Sequence, residues 1–274
     1  MRLPPSGAIS TIGLALGAGF WFALSASAPA AQSRGAAPLH RAAAYTNVVD
    51  GVRFEPGNWT PDLPAGQKGA SLGNHRAVIE IPAGATGTPI HVSIPWRRHD
   101  PNPDRKAVVV VDAATNQPVS AVAVTRATSV SGDVTFQPNR NSTRYYAYYM
   151  PWETTGGPYP KVTYRVPGLN ANFSDAFAEG RVTAIQSIDA FHGFFPMEVT
   201  ATPAETARFM TGAPGGWRLT AEDRDYAVRM RRFIPKVWAD RGPRTTFEST
   251  ALKDEYFTFQ VAVVAGAAAL TDVK

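Results

Sequence analysis

The sequence predicts a mainly β protein: an antiparallel β-sandwich, then a short helical connector, then the start of a second β-domain. Three observations carry this. Between Thr88 and Arg165 the chain alternates short runs rich in Val, Ile, Thr and Tyr with clusters of Pro, Asn and Gly, the signature of closely spaced antiparallel strands. Helix-start signals appear only later, beginning with Thr202-Pro-Ala-Glu205. Near the C-terminus the sequence from Glu255 to Ala265 returns to β texture.

The elements follow in order. Met1-Arg2 precedes an uncharged apolar run from Ile12 to Leu24, and the small residues Ser25 to Ala31 offer Ala-x-Ala-like cleavage sites. This reads as a signal peptide over residues 1–31, because the run is shorter than the ~20 apolar residues that cross a bilayer. Export to the periplasm or the extracellular space is the expectation. No later segment could span a membrane. Residues 32–44, rich in Ala, read as a linker. Val48, Val52 and Phe54 open the β region, and Arg76-Ala-Val-Ile-Glu-Ile81 alternates until Pro82 stops it. Strands are then expected at Thr88–Pro95, Lys106–Asp112, Pro118–Arg126, Asp133–Gln137, Arg144–Met150 and Lys161–Val166. The sandwich domain is accordingly placed at 45–167.

After Pro167 the texture becomes loop-like, with one more candidate strand from Arg181 to Ile188. Residues 168–244 read as a connector with two short helices. The first starts at Thr202 as N-cap, with Pro203 at N1 and Glu205 closing a capping box. The second is expected to start at Thr220-Ala-Glu-Asp223 and to run to Pro235, with Tyr226, Met230 and Phe233 on one face. Thr246–Ser249 and Glu255–Ala265 resume β over 245–274. Because Phe257 to Val264 is apolar on both faces, it expects covering on both sides, so this domain reads as begun and truncated.

Composition bounds function. The chain has 274 residues, 44% hydrophobic and 18% charged, no Cys, and a formal net charge of +5. Disorder is excluded as the default, as are Cys nucleophiles and lipid attachment through Cys. The basic residues are dispersed, which argues against a nucleic-acid partner. The five His (His40, His75, His91, His99, His192) form no His-x-His or His-x-x-x-His pair, so neither a metal nor a cofactor is expected. No Gly-x-Ser-x-Gly elbow is present.

Two irregular segments could meet a glycan. Trp96-Arg97-Arg98-His99-Asp100 sets an aromatic platform, cations and a carboxylate on a Pro-bracketed loop, a set able to stack on a sugar and bond its hydroxyls. The plain alternative is that Trp96 plugs the sandwich end while Arg97 or Arg98 pairs with Asp100 or Asp104. Tyr145 to Trp152 holds five aromatic residues in eight positions. On a strand Tyr145 and Tyr149 share one face and Tyr146 and Tyr148 the other, so one pair is core. With Tyr146 and Tyr148 as the outward pair, these two and Trp152 are the sugar-stacking candidates, with cross-strand packing as the plain alternative. Asp254-Glu255 is an adjacent acid pair, but on a strand its side chains leave on opposite faces. It reads as a solvated strand end.

Ile94-Pro-Trp-Arg-Arg-His-Asp-Pro-Asn-Pro-Asp-Arg-Lys-Ala107 with its Val run, Tyr145-Tyr-Ala-Tyr-Tyr-Met-Pro-Trp152, Phe195-Pro-Met-Glu-Val-Thr-Ala-Thr-Pro-Ala-Glu205 and Glu255-Tyr-Phe-Thr-Phe-Gln260 together resemble the N-terminal region of glycoside hydrolase family 123. The resemblance implies a secreted enzyme on N-acetylhexosamine-containing glycans, whose catalytic (β/α) barrel follows the β-sandwich and uses an Asp-Glu pair with the substrate's own acetamido group. Such a barrel would lie beyond Lys274. This chain would then be the non-catalytic front, inactive alone, with a glycan and the barrel as its partners. A free-standing carbohydrate-binding or cell-envelope adhesion module is the alternative, and a purely structural envelope protein a third reading.

Overall fold

The computed structural model describes residues 10–15, 47–59, 70–85, 87–139, 142–156, 158–159, 161–174, 176–193, 196–267 and 270. In chain order its strands are β1 (Ser10–Ala15), β2 (Val48–Val49), β3 (Val52–Pro56), β4 (Ala70–Ser71), β5 (His75–Glu80), β6 (Ile90–Ile94), β7 (Val109–Asp112), β8 (Val122–Ala127), β9 (Gly132–Phe136), β10 (Arg144–Tyr148), β11 (Trp152–Thr155), β12 (Lys161–Tyr164), β13 (Ala178–Glu179), β14 (Arg181–Ser187), β15 (Trp217–Asp223), β16 (Thr246–Ala251) and β17 (Phe259–Ala265). The helices are α1 (Pro203–Met210) and α2 (Lys236–Arg241). The chain divides into two compact units, Thr46–Thr200 and Met1–Tyr45 with Ala201–Lys274.

The first unit is the sandwich. One sheet has six strands in the order β2-β3-β14-β5-β10-β7, and a second has four in the order β13-β6-β9-β8. Their inner faces meet in one cluster that includes Phe54, Ala77, Ile79, Ile90, Val92, Ile94, Val110, Val134, Phe136, Tyr145 and Ile185. The period-2 alternation selects these residues. On β6, Ile90, Val92 and Ile94 are buried while His91 and Ser93 between them are not, as expected of a strand with one face in the core. The pairing is antiparallel except for β3 with β14 and β13 with β6, which are parallel. Both exceptions come from chain after Pro167. The unit runs on to Thr200, and β14, from the expected connector, lies between β3 and β5 inside the six-stranded sheet. A small third sheet, β12-β11-β4, completes the unit.

In the second unit α1 starts as its sequence dictates. Glu205 N–H donates to the Thr202 hydroxyl (3.1 Å) and Thr202 N–H to the Glu205 carboxylate (2.7 Å), a complete capping box. The second expected helix is not found at its expected place. Trp217–Asp223 is a strand that pairs with β17 over seven residues, and α2 begins only after Pro235. The reason is burial. Thr220 and Glu222 are fully covered, and the Glu222 carboxylate accepts from Trp238 Nε1 (2.8 Å) and Arg241 Nη2 (2.6 Å). Those tertiary bonds outweigh a local capping signal worth ~1 kcal/mol.

The backbone of β1, the first part of the apolar run, pairs antiparallel with β16. The rest of that run, the expected cleavage region and the linker 32–44 lie outside the described residues. No helix among the described residues is long and apolar enough to cross a membrane.

Candidate functional site

The loop after β6 turns inward. Trp96 is 3% exposed. Its Nε1 donates to the Thr128 carbonyl (2.7 Å), and its ring lies 5.1 Å from that of Tyr149. The indole is thus almost wholly covered, and Trp96 plugs the sandwich. Arg97 is also buried, in a left-handed conformation with φ 48°. Its guanidinium pairs with the Asp50 carboxylate and donates to the Thr200 carbonyl (3.2 Å). Arg98 leans over the Tyr149 ring, 5.3 Å from its centroid, and Asp100 pairs with Lys106. The expected pairing of Arg97 or Arg98 with Asp100 or Asp104 is therefore replaced by Asp50 and Lys106. Trp96, Arg97 and Asp100 offer no free face to a sugar, because the residues that satisfy them come from elsewhere in the fold and close over them.

The aromatic strand β10 resolves its two faces clearly. Tyr145 and Tyr149 belong to the inner core, whereas Tyr146 and Tyr148 lie on the outer face with Leu72, Val109, Val111 and Trp59. That outer face is not open. Arg76, one strand away on β5, sits with its guanidinium carbon 4.2 Å from the Trp59 ring centroid and 3.6 Å from that of Tyr146. It donates to the Tyr148 hydroxyl and to Gln186 Oε1, both at 2.9 Å. Gln186 in turn donates to Glu55 (3.0 Å). Trp59 reaches this position because Gly57 has no side chain: a Cβ there would lie 2.7 Å from the indole. Tyr148 is consequently 3% exposed, and burial pushes its phenol above the ordinary range. Trp59, Arg76 and Gln186 carried no local signal for this role, since they belong to three strands or loops far apart in the chain.

Trp152 has a different setting. On the β11–β12 hairpin it stands directly opposite Tyr164, and Thr154 stands opposite Val162. These four therefore share one face. Tyr164 is 40% and Val162 53% exposed, and Trp152 and Thr154 are half-buried. Lys106 Nζ lies 4.5 Å from the Tyr164 ring centroid while paired with Asp100. Backbone bonds from Ala107 N–H to the Arg165 carbonyl (2.8 Å) and from Arg165 N–H to the Pro151 carbonyl (2.9 Å) tie the ends of the two irregular segments together. Asp100 and Trp152, read separately from the sequence, thus belong to one neighbourhood joined through Lys106 and Tyr164. Tyr164 was missed because nothing local separates it from an ordinary strand tyrosine.

The same unit holds a buried polar cluster. His75 Nε2 donates to the His192 carbonyl (2.9 Å). Burial, then the nearby Arg98 charge, lowers the His75 pKa from 6.5 to about 3, so the ring is neutral at any ordinary pH. Burial likewise pushes the Tyr149 phenol up to about 12.

The sandwich and its outer faces are the part of the chain with a known counterpart. Residues 67–188 match the family model described as Glycoside hydrolase 123, N-terminal domain. No curated protein and no solved structure matches the chain. The matched segment takes in the four-stranded sheet, the β12-β11-β4 sheet and four of the six strands of the large sheet, and it ends with β14. It includes Arg76, Tyr146, Tyr148, Trp152 and Tyr164 and leaves out Trp59. The acid pair Asp254-Glu255 lies outside it, in the turn before β17, where Glu255 pairs with Arg224 (2.5 Å) and accepts from Leu252 N–H (2.8 Å). Asp254 stands exposed at φ 65°. No group of three or more His, Asp or Glu among the described residues is placed to hold a metal ion.

Proposed function

We propose that the chain is the non-catalytic front of an exported glycoside hydrolase that acts on N-acetylhexosamine-containing glycans. Its sandwich supports or shapes the carbohydrate site, and a catalytic barrel of the same full-length protein carries the chemistry. The match of residues 67–188 to a glycoside hydrolase N-terminal domain is the observation that carries this reading. The adjacent acid pair supports the non-catalytic part of it, because Glu255 is committed to Arg224 and to Leu252 N–H. Export rests on the apolar run Ile12 to Leu24 and the small residues after it.

The test uses purified residues 32–274 with an aryl N-acetyl-β-galactosaminide. No turnover is expected, and turnover by this chain would sink the proposal. The exposed face of the β11–β12 hairpin favours a second reading, a free-standing carbohydrate-binding or adhesion module. The gene downstream of the Lys274 codon discriminates the two: a barrel-length reading frame whose product hydrolyses the galactosaminide supports the first, and a stop codon supports the second.

A further inference from the structure

We infer that the hairpin face of Trp152, Thr154, Val162 and Tyr164 is a stacking platform for one uncharged pyranose ring of a glycan. The inference rests on the carbohydrate reading above and deepens it by naming the site and the class of ligand.

Shape argues first. Trp152 and Tyr164 are cross-strand partners, and Thr154 and Val162 are the next pair on the same face. Cross-strand neighbours stand ~5 Å apart and residues i and i+2 about 7 Å apart. The face is thus the size of one or two sugar rings. It is far below the ~800 Å² per partner that a specific protein interface buries, so a second protein is not the occupant that fits.

Chemistry argues second. The apolar C–H face of a pyranose seeks aromatic surface, and its hydroxyls seek a few fixed polar groups at the rim. Tyr164 supplies an exposed ring with its own hydroxyl, and Thr154 a second hydroxyl between the strands. The ring is held in place by Lys106 packed against it, which lowers the ordering cost of binding.

Charge argues third, and against an acidic sugar. Lys106 and Asp100 neutralise each other with side chains only 11% and 7% exposed. Glu153, Thr163, Thr155 and Lys161 occupy the opposite face by strand alternation. Glu153 there stands 3.9 Å from Arg165. The platform presents no uncompensated cation to a carboxylate.

The experiment titrates purified residues 32–274 with methyl N-acetyl-β-galactosaminide and, separately, with methyl β-glucuronide. Binding is followed by tryptophan fluorescence and by NMR saturation transfer from ring protons to the sugar. The neutral glycoside is expected to bind at millimolar concentration, with its ring protons saturated from the aromatic envelope. Trp152→Ala and Tyr164→Ala are each expected to weaken it about tenfold with unfolding midpoints near that of the parent. Tyr164→Phe, which keeps the ring, is expected to stay within about threefold. Binding that is unchanged in both alanine variants, or absent in the parent chain, overturns the inference. A glucuronide that binds tenfold more tightly than the neutral glycoside overturns the assignment of class. In either case hydrolysis by the longer gene product would still test the parent reading independently.

Discussion

Arg76 lies between the rings of Trp59 and Tyr146, with its guanidinium carbon 4.2 Å and 3.6 Å from their centroids. A cation held between two aromatic faces covers the outer side of the sheet together with Leu72, Val109 and Val111. It also donates hydrogen bonds to the Tyr148 hydroxyl and Gln186 Oε1, so strands β5, β10 and β14 are cross-linked at one point.

Loss of that point is expected to be costly. Cation–π contacts contribute ~0.5–2 kcal/mol each and hydrogen bonds to a charged group ~1.5–3 kcal/mol. Arg76→Met, which keeps the stem, is expected to lower stability by about 2 kcal/mol or more in urea unfolding. Arg76→Lys should not restore it, because an ammonium cannot present a planar fork to Tyr148, Gln186 and two rings at once. A Met variant within ~0.5 kcal/mol of the parent would show that the rings pack equally well without the cation.

His75 gives the sandwich an acid sensitivity with a defined window. In the unfolded chain its imidazole takes a proton near 6.5, whereas in the folded chain burial and Arg98 delay this to about 3. Between those values the unfolded state binds more protons, so stability is full above pH 6.5 and is lost as pH falls toward 3. Carboxylates such as Asp112 and Asp133, held below their ordinary 3.8, add to the loss only at the acid end. The interval from about pH 6.5 to 4.5 is therefore diagnostic for His75. His75→Gln, which retains a donor for the His192 carbonyl, is expected to flatten urea midpoints over that interval. An equally steep profile in the variant would assign the sensitivity elsewhere.

Gly132 is required by Trp96 and not by its own backbone. A Cβ at 132 would fall inside the indole of Trp96, which is fixed by its bond to Thr128. Gly132→Ala is expected to destabilise by about 1–3 kcal/mol, and Trp96→Ala by about 3–5 kcal/mol. In the double variant the collision is gone, so the two effects should be less than additive by more than ~0.5 kcal/mol. Additive midpoints would mean that the indole can move aside.

Much of this protein was legible without coordinates, and particular elements show why. β5, β6, β9, β10 and β14 fall within a residue or two of their alternating runs, because a strand with one face in a core must repeat every second residue. The Thr202 capping box formed as written, since both of its bonds lie within four residues. Where tertiary partners compete with local signals, local reading failed. Thr220 to Asp223 looks like a helix start but is a strand, because Glu222 is claimed by Trp238 and Arg241.

The sequence by itself determined most strands of the sandwich and the inventory of aromatic and charged side chains. It could not determine which of those side chains face solvent. Trp96 and Trp152 both follow a proline in an irregular segment, yet one is sealed by Gly132, Thr128 and Tyr149 while the other stands on a half-open hairpin opposite Tyr164. Arg76 and Tyr146 needed Trp59 and Gln186, which are brought together only when β14 enters between β3 and β5. Alternation is a property of neighbouring residues, whereas exposure is a property of what the remainder of the chain lays over them, and only the tertiary structure decides that.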